Sequence, residues 1–312
     1  MFLDRDLRAR LQELLCHPEA ELRAQGHALL LSLHPEEQQH AVQSSSSLRR
    51  AALSGLSLPG ITLGGRDLQD ATLAGADLSG ATLRRAHLRR VDLRGADLRG
   101  ADLRGTDLRG ATLDDTMMEG ARLQGAKLHG ATLLRADLRG ADLRDARALG
   151  ADFSRADLRG ADLSRGDFSP SNQRHTRFTE ADLTEARLYG ASLRRADLRA
   201  ADLTEADARE ADLRGIDLSG ATLCRAALIG ARLHKASLEG ADLTGADLTQ
   251  ARLCGVVVRA ACFIGATLAH AQLQNTDWSG VDLQFADLRG AHVSLRRLEG
   301  ADLRGADLAV RE

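Results

Sequence analysis

The sequence predicts an all-β solenoid preceded by a short helical segment. Three observations carry this expectation: a five-residue phrase repeated without loss of phase, an apolar pair two residues apart within it, and a glycine at its end. Ala96-Asp97-Leu98-Arg99-Gly100 is followed by Ala101-Asp102-Leu103-Arg104-Gly105. With the five slots named a to e, slot c falls on every number ending in 3 or 8 from Leu53 to Leu308, giving 52 phrases. Leu fills 41 of the 52 c slots and Ala 38 of the 52 a slots, so both slots are built for an interior. Of the 30 glycines, 27 sit in slot e, so the phrase ends in a turn.

A period of five fits neither the 3.6 of a helix nor the 2.0 of a flat strand. Slots a and c are two apart, so they point to one side of an extended piece while b and d point to the other. Slot e, rich in glycine, accepts the positive φ of a tight corner. A chain that turns at fixed intervals with its apolar side always inward winds into a solenoid.

These phrases resemble the pentapeptide-repeat family, whose unit is A(D/N)LXX, and the resemblance covers about five-sixths of the chain. It implies a right-handed, four-sided β-helix with four phrases per coil. The 52 phrases then make about 13 coils, and at about 4.8 Å per coil a rod roughly 60 Å long. Domain boundaries follow: a helical cap or docking segment at 1–47 and the β-helix at 48–312.

The chain has 42 basic and 44 acidic residues, which excludes a bulk polycation and a bulk polyanion alike. Lys127 and Lys235 are the only lysines beside the many arginines. A GC-rich coding sequence produces such a bias, which points to a bacterial source. The charged start Met1-Phe2-Leu3-Asp4-Arg5-Asp6 lacks the apolar core of a signal peptide, and no window is long enough to span a membrane. Cys16, Cys224, Cys254 and Cys262 form no CxxC pair, so reduced thiols in a cytoplasmic protein are expected, with no metal site and no cofactor.

In the first 47 residues, Leu7, Leu11, Leu14 and Leu15 form one helical stripe, and Leu22, Gly26, Leu29, Leu30 and Leu33 a second. Pro18 and Pro35 suit a first helical position. Helices are expected at about 4–15, 18–33 and 35–43. They would cover the first coil's unpaired backbone and open apolar end; a separate docking role is the alternative. Within the repeats, Ala148 and Ala208 narrow the core and Trp278 fills a c slot. The stretch 169–175, Ser169-Pro170-Ser171-Asn172-Gln173-Arg174-His175, breaks the pattern. It forms either a distorted side with Gln173 inward or a five-residue loop that moves every later phrase to the next face.

No constellation for catalysis stands out. Asp in slot b beside Arg in slot d recurs along the chain, so it reads as a solvated surface rather than an acid–base pair. Counting four phrases to a coil, one face collects a basic stripe of Arg174, Arg194, Arg195, Arg214, Arg232, Lys235 and Arg252. Another collects an acidic stripe of Asp162, Asp182, Glu185, Asp202 and Glu205 without matching bases. Outward apolar residues gather near the C-terminus at Ile229, Val257, Ile264 and Phe285, a candidate contact patch.

The expected function is therefore non-enzymatic binding of a protein partner. The family resemblance implies a DNA-mimicking modulator of DNA gyrase or topoisomerase IV that protects them from quinolone-type inhibitors, paired as a homodimer through the last coil. A protein–protein scaffold or signalling partner unrelated to topoisomerases is the alternative. Direct nucleic-acid binding along the basic stripe ranks last, because the net charge is only −2.

Overall fold

The computed structural model describes residues 5–45, 47–171 and 175–310. It comprises two compact units, Met1–Arg147 and Ala148–Glu312.

The first unit opens with three helices: α1 (Arg5–Leu15), α2 (Ala20–Leu31) and α3 (Pro35–Ser44). Leu11, Leu15 and Leu30, from the two sequence stripes, are buried. Gly26 lets α2 cross α1 closely, since a Cβ there would stand 2.8 Å from the Leu14 Cβ. α3 begins on Pro35 as the spacing predicts. α2 begins at Ala20, because Glu19 is extended at φ −79°, ψ 132°, and Pro18 thus precedes the first turn.

Within each unit most slot b residues form a parallel bridge to the residue 20 positions on, as in Ala52 to Thr72 to Asp92. Four phrases therefore complete one coil, which has four sides. Slot c N–H groups donate to slot b carbonyls of the next coil, as Leu98 to Met117 at 2.7 Å. Slot b N–H groups donate back to slot a carbonyls of the previous coil, as Thr72 to Ala51 at 2.9 Å. Slot a N–H groups close the corner onto slot c, as Ala76 to Leu73 at 3.1 Å. Slots a and c are almost uniformly buried, so Ala and Leu line the core of each unit.

In the regular phrases slot e takes positive φ whether glycine or another residue fills it. Gly100 has φ 64°, and the non-glycine corners run from 52° at Arg195 to 61° at Asp70. The corner needs this conformation at its third residue, and a side chain there costs on the order of 1 kcal/mol. Some of these strained residues clasp neighbouring coils: Arg90 pairs with Asp70 at 2.7 Å and Arg135 with Asp115 at 2.6 Å.

The helices supply what the first coil lacks. Ser57 has no preceding coil to bond, and its N–H donates to the Gln38 Oε1 of α3 at 3.2 Å. Gln39 donates to the Pro59 carbonyl at 2.9 Å, and His27 Nε2 lies 2.6 Å from the Ser54 carbonyl. Gln38 itself is buried. These contacts support the capping role proposed for the helical segment.

In the second unit the ladder changes step once. Asp152 bridges Arg177, Asp157 bridges Asp182, Asp162 bridges Arg187 and Asp167 bridges Ser192, each 25 residues apart, and the spacing then returns to 20. One coil thus carries five extra residues between Ser169 and Thr176, the register of the loop alternative. The expectation of Gln173 inward lies outside the described residues. Thr176 closes the gap, its buried hydroxyl donating to the Ser169 carbonyl at 2.8 Å and accepting from the Gly150 N–H at 2.9 Å.

Three aromatic side chains fill the core at this step. Phe153 and Phe178 stack at 4.8 Å with rings 3° apart, and Phe168 meets Phe178 edge-on at 5.7 Å. Gly166 replaces the usual slot a alanine because a Cβ would fall 2.4 Å from the Phe168 ring. Trp278 is buried as expected and meets Phe263 edge-on at 5.2 Å. A 3-10 helix (Leu295–Leu298) interrupts the last coils, and beyond it the slot c residues Leu303 and Leu308 are no longer covered.

Candidate functional site

The side chains that project from the coil begin with slot b. The slot d N–H faces outward, where no neighbouring backbone accepts it. An Asp two residues earlier does so with Oδ1, as Asp97 accepts from the Arg99 N–H at 3.0 Å. Arg99 then folds back, Nε and Nη2 donating to the same carboxylate at 2.9 and 2.6 Å. Hydrogen bonds from the Arg99 side chain hold the Asp97 carboxyl below the usual carboxylate range. The recurrent Asp–Arg pair is thus a clip within one phrase. It satisfies a corner and cancels its own charge, so most of the surface has little unbalanced charge to offer a partner.

Candidate sites are the places where the clip fails. On one column of the second unit the slot b residues run Ser192, Asp212, Arg232, Arg252. Arg214 clips to Asp212 at 2.6 Å, and Arg194 reaches the same carboxylate at 4.0 Å. Among the described residues, no carboxylate lies within 4.0 Å of Arg195, Arg232, Lys235 or Arg252. All six cations line one surface depression of about 480 Å³, together with Gly215 and His234. The basic stripe expected from sequence is therefore assembled here, while Arg174 lies outside the described residues.

His234 was not singled out by sequence. Its Nδ1 is buried and finds no hydrogen-bond partner among the described residues. Burial, then the Arg252 and Arg214 charges, push the imidazole below its ordinary value. The signal that could have led to it is Arg in slot b at 232 and again at 252, where Asp is the rule.

The acidic stripe needs two corrections. The five extra residues put Asp162 on the column of Arg187, whereas Asp182 and Asp202 stand on the column of Asp157. Nor is the stripe without bases: Glu205 pairs with Arg225 at 2.6 Å and Asp182 lies 3.5 Å from Arg159. Asp182, Glu185, Asp202 and Glu205 remain on one side. The apolar patch is also divided. Ile264 and Phe285 follow one another on the Cys262–Asp282 column, but Val257 belongs to the Ser237 column and Ile229 to that of Ala227. Phe285 is the most exposed of the four at 67%, with its ring lying over Gly305.

Among the described residues, no helix is long and apolar enough to cross a membrane. A family model described as pentapeptide repeats matches residues 46–85, 67–105, 96–133, 136–172, 176–215, 216–255 and 261–294. The gap between 172 and 176 falls where the ladder changes step. Among solved structures, a trypsin-treated variant of QnrB1, a plasmid-mediated fluoroquinolone resistance protein, is 25% identical, with 59% of this chain and 89% of that one covered and a TM-score of 0.54. HetL, a pentapeptide repeat protein involved in heterocyst differentiation regulation from the cyanobacterium Nostoc sp., is 28% identical over 85% of this chain and 91% of its own, with a TM-score of 0.24. No curated protein matches the chain.

Proposed function

The chain belongs to the pentapeptide-repeat family, and on that premise we propose that this right-handed β-helix is a non-enzymatic protein that binds a partner protein through its sides. The partner we propose is a type II topoisomerase, DNA gyrase or topoisomerase IV. The β-helix would engage it in place of a DNA duplex, in the bacterial cytoplasm, and shield it from quinolone-type inhibitors. The observation that carries this reading is the likeness to QnrB1, a fluoroquinolone resistance protein. The side bearing Asp182, Glu185, Asp202 and Glu205 would face the enzyme's basic DNA-binding surface.

The corner chemistry dictates which of these residues to change. Asp182 and Asp202 accept the N–H groups of Thr184 and Thr204, at 3.0 and 2.9 Å, so replacing them would damage the fold. Glu185 and Glu205 occupy slot e at φ 57° and 59°, a place Lys235 also fills at 59°. Glu185→Lys with Glu205→Lys should therefore fold normally. In gyrase supercoiling assays with a fluoroquinolone, the native protein should restore supercoiling, and the double variant should need about tenfold more protein. If micromolar protein alters neither supercoiling nor drug-induced cleavage, the topoisomerase reading is lost and a scaffold for another protein is left.

We also propose that two copies pair through the uncovered floor of the last coil, where Leu308 is 37% exposed. Light scattering should give about twice the 33.4 kDa chain mass. A single-chain mass at high concentration would exclude the pairing.

A further inference from the structure

Wherever slot b carries Asp beside a slot d Arg the two cancel, as Asp212 and Arg214 do at 2.6 Å, but slot b is not always Asp. On the column Ser192–Asp212–Arg232–Arg252 that cancellation is lost over successive coils. The depression there collects six cationic side chains against the single carboxylate of Asp212, an excess of five positive charges. Coils about 4.8 Å apart bring these groups within roughly 15 Å of one another along the column. Gly215 keeps part of the floor low, and the Arg195 stem lies across it, 3.3 Å from where a Cβ would stand. The His234 Nδ1 adds a polar atom with no partner.

Five of the six cations are arginines, whose planar forks pair two oxygens at once with phosphate or carboxylate. A monovalent anion would leave most of the charge uncompensated, whereas a ligand of several negative charges in a small volume matches it. Among the described residues no Phe, Tyr or Trp lines the depression, so the large ring on which a nucleobase stacks best is absent and His234 is the one ring there. The ligand is recognised by its charge and oxygen geometry alone.

We propose that this depression is a binding site for a compact oligophosphate, held by Arg195, Arg232, Lys235 and Arg252. It lies on a different column from the acidic side invoked for a topoisomerase and stands or falls independently of that reading. The phosphate chain could be free or could be the tail of a nucleoside triphosphate.

Isothermal titration of the full chain with inorganic triphosphate at low and at physiological salt tests the proposal. Saturable binding of one triphosphate per chain is expected, weakening as salt rises. Arg232→Ser with Arg252→Ser should reduce affinity at least about tenfold, each charge-assisted contact being worth more than a neutral one. The variant should fold, since slot b already carries serine at Ser192 and Ser237 on bridged positions, and an unchanged circular dichroism spectrum checks this. Equal affinity for ATP and triphosphate would identify a free phosphate chain as sufficient, and tighter binding of ATP a nucleotide source; either supports the site. The proposal is overturned if triphosphate does not saturate at millimolar concentration, if the double variant binds as well as the native chain, or if citrate binds as tightly. Duplex DNA binding this column while triphosphate fails to compete would also overturn it, and would make the column a nucleic-acid contact.

Discussion

Leu98→Ala should destabilise the first unit by about 2–5 kcal/mol, the range for truncating a large side chain in a packed interior. Leu98 is fully buried, and its N–H donates to the Met117 carbonyl of the next coil at 2.7 Å. On its column the slot c neighbours are Leu78 and Met118 and the slot a residues Ala76, Ala96 and Thr116, all buried, so Met118 alone is flexible enough to move into part of the space. Leu103 and Leu138 occupy equivalent slots and should behave alike. Urea unfolding followed by circular dichroism reads the loss as a lower midpoint. Arg99→Ala is the matched control, one residue away but exposed, and should leave the midpoint nearly unmoved. Equal effects from the two changes would mean that the inward and outward slots have been assigned wrongly.

Phe178→Ala should cost the second unit about 3–5 kcal/mol, at least as much as any leucine truncation. Phe178 stacks on Phe153 and meets Phe168 edge-on, so one truncation removes two ring contacts. The rings also lie where the ladder changes step, beside the gap that Thr176 bridges to Ser169. A double-mutant cycle with Phe153→Ala should show coupling of about 0.5–1.5 kcal/mol beyond additivity. A Phe178→Ala variant as stable as the native chain would show that the cluster does not support the step.

Much of the fold was legible because each slot has one physical task. Leu in slot c and Ala in slot a revealed the interior, and glycine in slot e revealed the corner. The part played by Asp in slot b was not legible, since alternation shows only that Asp97 faces outward. That it accepts the Arg99 N–H follows from the corner's geometry, which leaves that donor without a backbone partner. The start of α2 was missed because a proline two residues before a helix and one inside it look the same in sequence. The basic column was found because its members lie beyond the change of step and shift together. The acidic one was misgrouped because Asp162 lies before the step and Asp182 after it. The apolar patch divided because closeness in sequence is not closeness on the surface, and the four-phrase count puts Ile229, Val257 and the pair Ile264–Phe285 on three different sides.

The change of step has a consequence for how such chains are compared. Five extra residues leave the repeat in phase, so an alignment of two relatives can run through that point with every Leu matched to Leu. In a four-sided winding, though, one additional phrase advances everything downstream by a quarter turn. Aligned residues can then belong to different walls, and a surface shared on paper can be absent in space. Kinship of outward residues in these chains is better counted from one ladder partner to the next, as from Asp162 to Arg187, than from column to column of an alignment.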